Sequence, residues 1–203
     1  AWFNEQPRLT ARINTVKVSI EDCIKELQNL GWTIEQDKDI PEVVYINSHQ
    51  GHLEKAKPVI EGHITFMDKA SMLVAHVVDP QPGDRILDCC AAPGGKSMHM
   101  ASLMNNTGAI MSCDIYDHKL DLMNQNAERL GVSIVSTKLQ DGRYLPDNWK
   151  EQFDRVLVDA PCSGLGILQK KLDMRWRKTE DLLNELPPLQ LEILEKASEM
   201  VKV

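Results

Sequence analysis

Residues 88–97 read Asp88-Cys89-Cys90-Ala91-Ala92-Pro93-Gly94-Gly95-Lys96-Ser97. This turn of small residues joins an apolar run at 85–89 to a helical pattern at 95–103. A strand passing at once into a helix points backbone N–H groups and the positive end of a helix dipole at whatever binds there. Downstream, strands and helices alternate. Residues 109–113 form a second strand ending at Asp114. Residues 116–130 form a helix with Leu120, Met123, Ala127 and Leu130 on one face and Gly131 as its stop. A third strand spans 134–138, and a fourth spans 155–158, ending at Asp159. This alternation implies a parallel sheet with right-handed crossovers, hence a Rossmann-like, doubly wound α/β domain. Such sheets bind ligands beyond the C-terminal ends of their strands.

Upstream, the chain reads as a small α/β segment over 1–62, ahead of the Rossmann-like domain over 63–203. Residues 9–16 are a strand with Arg8, Arg12 and Lys17 interleaved. Ser19 then caps a helix carrying Ile20, Cys23, Ile24, Leu27 and Leu30 at helical spacing, with Gly31 as its stop. A second strand is expected at 43–46, a linker at 48–61 and a helix at 68–78. After a last helix at 189–201 the sequence stops at Val203 with four parallel strands laid down, so the sheet is expected to lack its last strands.

The 203 residues are 42% apolar and 26% charged, which excludes a disordered or collagen-like chain. No apolar run reaches the ~18 residues of a membrane span, and no leader marks secretion. Five cysteines, two of them adjacent, make no disulfide framework, so a reduced cytoplasmic setting is expected. The net charge of −7 leaves nucleic acid open as a partner only through a local basic patch. One exists at Lys170-Lys171-Leu172-Asp173-Met174-Arg175-Trp176-Arg177-Lys178, five cations against one acid around an indole. Phosphate contacts and a stacking surface for single-stranded RNA are expected there, with Arg8 and Arg12 adding to them. His49, His52 and Cys23 form no zinc spacing, and no metal is expected.

Three readings of the 88–97 turn compete. A P-loop matches Gly95-Lys96-Ser97, but Cys90 stands where its first glycine belongs. A dinucleotide fingerprint lacks its spaced glycines. A nucleoside cofactor with Asp114 on its ribose fits the third. The second chemical stretch, Asp159-Ala160-Pro161-Cys162-Ser163-Gly164, places a carboxylate and a turn-borne thiol at the same rim.

Asp-x-Cys-Ala-Ala-Pro-Gly-Gly-Lys at 88–96 together with Asp-Ala-Pro-Cys-Ser-Gly at 159–164 resembles the Sun (RsmB-like) family of RNA (cytosine-carbon-5) methyltransferases, nearest to its bacterial branch acting on small-subunit ribosomal RNA. Residues 7–14, Phe66-Met67-Asp68-Lys69-Ala70-Ser71, Leu130-Gly131, Asp141-Gly142-Arg143 and Met174-Arg175-Trp176-Arg177 extend the resemblance along the chain. It implies S-adenosyl-L-methionine as cofactor. Cys90, Ala91, Ala92, Pro93, Gly94, Gly95 and Lys96 would lie against its methionine part and ribose, Asp114 on the ribose hydroxyls and Asp141 on the adenine amine. Asp159 would sit near the sulfonium and the target base. Cytosine carbon 5 attacks a methyl group only after a thiolate adds at carbon 6. In the family that nucleophile is a Thr-Cys cysteine and the Pro-Cys cysteine, here Cys162, assists product release. No Thr-Cys occurs in the 203 residues, so the nucleophile is expected beyond Val203. Ribosomal RNA ahead of transfer RNA is the implied partner, and a monomer is expected. A non-catalytic cofactor- and RNA-binding module is the alternative from another class.

Overall fold

The structure, a computed structural model, describes residues 7–167 and 181–203. Strand β1 (Leu9–Ile13) turns Ala11 and Ile13 to one face and Arg12 to the other. On the first face they meet Cys23 and Leu27 of helix α1 (Ile20–Asn29). Ser19 caps α1 by accepting from the Asp22 N–H at 3.1 Å. Strands β2 (Thr33–Gln36) and β3 (Val43–Ser48) follow, then helix α2 (Lys57–Ile60) and strand β4 (Ile64–Phe66). The four strands form an antiparallel sheet in the order β2-β3-β1-β4. β2 and β4 lie outside the strands expected from sequence. The stretch read as a linker carries a 3-10 turn at Leu53–Lys55 and α2. The sheet also runs past residue 62, because β4 pairs with β1 through Ala11 and Phe66.

Helix α3 (Lys69–Val78) leads into the second unit: β5 (Arg85–Asp88), α4 (Gly95–Leu103), β6 (Ala109–Asp114), α5 (Asp117–Leu130), β7 (Val135–Leu139), β8 (Arg155–Leu157) and α6 (Asp181–Ser198). These strands are parallel, in the order β7-β6-β5-β8. One face packs Ile86, Ile110 and Leu157 against Ala75, Met98 and Ala101 of α3 and α4. The other packs Leu87 and Cys113 against Ile193 and Ala197 of α6. Beside the start of β8 the chain's last residues add one parallel bridge, Phe153 to Val201. No helix among the described residues is long and apolar enough to cross a membrane.

The outer face of the antiparallel sheet is covered rather than free. Val43 and Tyr45 pack with Met72 of α3, and Arg12 between them is 0% exposed. Arg12, expected at an RNA surface, therefore cannot meet phosphate. Its guanidinium, pushed down to about 10 by burial, lies in the field of Glu42. Glu42 in turn accepts from the Nε2 of His76 at 2.6 Å and of His99 at 2.9 Å. The small unit is thus joined to α3 and α4 by a buried polar layer.

Burial pushes the His99 imidazole down to about 4, against the opposing pull of its bond to Glu42. Between about pH 6.5 and 4 the unfolded chain binds a proton that the native one refuses, so stability falls as pH drops through that window. Asp88, pushed up to about 6 by burial, acts in the opposite sense. The comparison must therefore be with a variant. His99→Gln keeps an N–H for Glu42 and removes the titration. Urea unfolding from pH 7 to 4 is expected to show the wild type losing about 3 kcal/mol more than H99Q. Parallel curves would remove His99 from this role.

Candidate functional site

β5 ends in Asp88, which is buried under the turn that follows. Ser97 of α4 donates to its Oδ2 at 2.7 Å, and Ser112 of β6 donates to Ser97 at 2.9 Å. This chain of hydroxyls ties the start of α4 to both central strands. The turn is held from the other side by ladder-like backbone bonds, Cys89 N–H to Leu157 O at 3.0 Å and Ala91 N–H to Cys113 O at 2.8 Å. Gly94 caps α4 at φ +93°, and a Cβ there would stand 3.0 Å from Cγ of Met123.

Beyond the turn opens a cavity of about 420 Å³, lined by Cys90, Ala92, Asp114, Asp141 and Asp159 among the residues expected from sequence. Asp114, at the end of β6, accepts from the Ala92 N–H at 3.3 Å and the Tyr116 N–H at 3.1 Å, with the Lys119 ammonium 3.8 Å away. Asp141, just past β7, accepts from the Arg143 N–H at 2.9 Å and from its guanidinium Nη2 at 2.7 Å, and that bonding holds its carboxyl below the usual range. Asp159, past β8 and 51% exposed, receives the Lys96 ammonium at 2.6 Å. Ala91, Pro93, Gly94 and Gly95 form the turn behind this wall and do not line it. Lys96 reaches it only through Asp159.

Cys162 is the one exposed cysteine of the five. It follows Pro161, which lines the cavity and whose carbonyl accepts from Gln190 of α6 at 2.8 Å. Cys90 is half-buried, and burial pushes its thiol up to about 12; Cys89 and Cys113 are buried and likewise raised. A thiolate is therefore disfavoured at all three. Arg8 lies away from the cavity, over the Tyr45 ring at 3.8 Å and paired with Glu35. Lys170, Lys171, Arg175, Trp176, Arg177 and Lys178 lie outside the described residues.

Sequence reasoning did not single out Arg143, Ile115, Tyr116, Lys119, or Leu189 and Ile193 of α6, all of which line the cavity. One signal was present: Gly142 between the two charged residues. A Cβ there would stand 3.1 Å from Cγ2 of Ile193, so α6 packs closely over this glycine. Chemically, three carboxylates at strand ends offer acceptors for hydroxyl and amine donors, in a volume that suits a nucleoside with a short tail. A P-loop needs its lysine free for phosphate, and here Lys96 is committed to Asp159.

A family profile described as 16S rRNA methyltransferase RsmB/F matches residues 75–203, and one described as an RsmF/B-like, ferredoxin-like domain matches residues 1–51. The probable ribosomal RNA small subunit methyltransferase B of Bacillus subtilis is 36% identical over 197 residues, covering 97% of this chain and 44% of that protein. The chain thus spans a little under half the length of that relative. Among solved structures, PH0851 superimposes with a TM-score of 0.92 at 34% identity, covering 98% of this chain and 45% of the other. A methyltransferase homolog protein from Pyrococcus horikoshii gives 0.86 at 30% identity, over 99% and 63%.

Gly94 is the conformational key to the turn. Gly94→Ala forces a side chain into left-handed backbone and against Met123, so a loss of roughly 1–3 kcal/mol in unfolding free energy is expected. Denaturant titration measures it, and an unchanged midpoint contradicts the geometry.

Proposed function

The chain belongs to the RsmB/F family of 16S rRNA methyltransferases, and from that premise we propose that it carries the donor-binding half of an enzyme methylating carbon 5 of a cytosine in ribosomal RNA. The observation that carries the reading is one cavity lined by Asp114, Asp141, Asp159 and Pro161, the residue that precedes the exposed Cys162. S-adenosylmethionine, when bound, supplies an electrophilic methyl group. Asp114 would accept from the ribose hydroxyls and Asp141 from the adenine amine, with Cys90 and Ala92 of the turn beside the methionine part. Asp159, held by Lys96, stands between the sulfonium and the target base.

The base must be unpaired or flipped to reach this rim. A thiolate adds to carbon 6, carbon 5 takes the methyl group, a base removes the carbon-5 proton and the thiolate leaves. In this reading the adding thiolate lies outside the 203 residues, and Cys162 assists the final elimination. The basic stretch at 170–178 and the exposed Arg8 supply phosphate contacts.

Bisulfite sequencing of small-subunit ribosomal RNA, with and without the full gene, is expected to show one cytosine losing protection in its absence; unchanged protection at every position contradicts the activity. Calorimetry is expected to show binding of S-adenosylhomocysteine, and Asp114→Ala to weaken it by ~1–3 kcal/mol, the cost of stranding buried hydrogen-bond partners. Heat with ATP–magnesium and none with the adenosyl ligand returns the turn to the P-loop reading. In the complete enzyme, Cys162→Ala is expected to retain part of the methyl transfer and accumulate a covalent RNA adduct visible on denaturing gels. Total loss of transfer without adduct makes Cys162 the nucleophile instead.

A further inference from the structure

We propose that Arg143 is a positioning residue that makes the cavity select a donor whose purine carries an amino rather than an oxo group at carbon 6, by holding Asp141 as an acceptor aimed into the cavity. The inference rests on the donor reading above and goes beyond it in naming what enforces the choice of base.

A carboxylate offers about four lone-pair sites. Three nitrogens of Arg143 engage Asp141: the backbone N–H at 2.9 Å to Oδ1, Nη2 at 2.7 Å to Oδ2, and Nε shared between both oxygens at 3.1 Å. Those contacts fall two on each oxygen, while the Asp141 side chain stays 26% exposed and both residues line the cavity, so the carboxylate still faces an incoming donor.

Arg143 is itself fixed from two sides. Its guanidinium carbon lies 5.2 Å from the centre of the Tyr144 ring, and Nη1 lies 4.0 Å from a carboxylate oxygen of Glu192 on α6. An arginine fork can hold both carboxylate oxygens at once, whereas a lysine ammonium acts as a point charge. Hydrogen bonding from Arg143 also keeps the Asp141 carboxyl below its ordinary range, so that it only accepts. An exocyclic amine donates to such a group. A 6-oxo group turns oxygen lone pairs against it. Without Arg143 the carboxylate loses the two-point tether that aims it, and the distinction between the two purines goes with it.

The test is calorimetry with two probes, S-adenosylhomocysteine and its 6-oxo counterpart S-inosylhomocysteine, on the wild type and on Arg143→Ala, Arg143→Lys and Asp141→Asn. The wild type is expected to prefer the amino ligand by about tenfold or more. R143A is expected to bring the ratio within about threefold, chiefly by weakening the amino ligand, and R143K to restore only part of it. D141N, whose amide can donate as well as accept, is expected to erase the preference. Should R143A not fold, Arg143→Gln keeps the alkyl stem over Tyr144 and carries the same comparison. An R143A ratio equal to the wild type's, whether both affinities fall together or neither moves, overturns the inference and leaves the donor reading intact. A wild type that binds neither probe overturns both.

Discussion

Everything at this site depends on one constraint: four parallel strands must end on one rim. The pairings Asp88 to Ser112, Asp114 to Leu139 and Asp88 to Leu157 bring strand ends together across wide gaps in sequence. Past those ends the ladder stops, and buried backbone groups still need partners. The chain meets the need by continuing the ladder into the loops, with Cys89 N–H on Leu157 O, Ala91 N–H on Cys113 O and Gln140 N–H on Asp114 O. These bonds hold the turn at 89–94 beneath the cavity and leave the carboxylates of Asp114, Asp141 and Asp159 as its wall. The site is a consequence of how a parallel sheet terminates.

The small antiparallel unit is attached by the same accounting. The last turn of α5 leaves carbonyls without helical partners. Asn14 Nδ2 donates to Leu130 O at 2.8 Å and Lys17 Nζ to Arg129 O at 2.6 Å, so the first unit caps a helix of the second, with a cation at its negative end. Asn14 also donates to Gly62 O at 2.8 Å, and a Cβ at Gly62 would stand 2.2 Å from Arg129 O. Together with the layer formed by buried Arg12, Glu42 and His99 and half-buried His76, this capping sets the small sheet at one fixed distance from α4, the helix that starts at the 89–94 turn.

Much of this was legible before any coordinates. β5, β6, α4 and α5 are apolar runs with sharp punctuation, and acids at strand ends are conspicuous because such positions are otherwise satisfied by small or apolar residues. What stayed hidden depends on contacts distant in sequence. β2, Thr-Ile-Glu-Gln, buries almost nothing of its own and exists because β3 pairs with it. Arg12 alternates with apolar residues as a surface arginine would, and only the arrival of α3 and α4 shows its face to be interior. α6 begins at Asp181, well before the helix expected from residue 189, because Pro187 and Pro188 interrupt the periodic pattern. Arg143 was visible as a motif residue, yet pairing two residues apart within a 3-10 turn leaves no periodic trace.

The charges around the cavity complete the logic. Three carboxylates on one wall would repel each other if left alone. Two are matched by a dedicated cation, Asp141 by Arg143 and Asp159 by Lys96, while Asp114 takes backbone N–H groups and keeps Lys119 at a looser 3.8 Å. The charge of the wall is therefore largely matched from within the protein. Two of the cavity's cations are also committed: a triphosphate would meet Lys96 already paired with Asp159 and Arg143 with Asp141, and only Lys119 more loosely held. A donor presenting hydroxyls, an amine and cationic centres to these carboxylates asks for no such exchange.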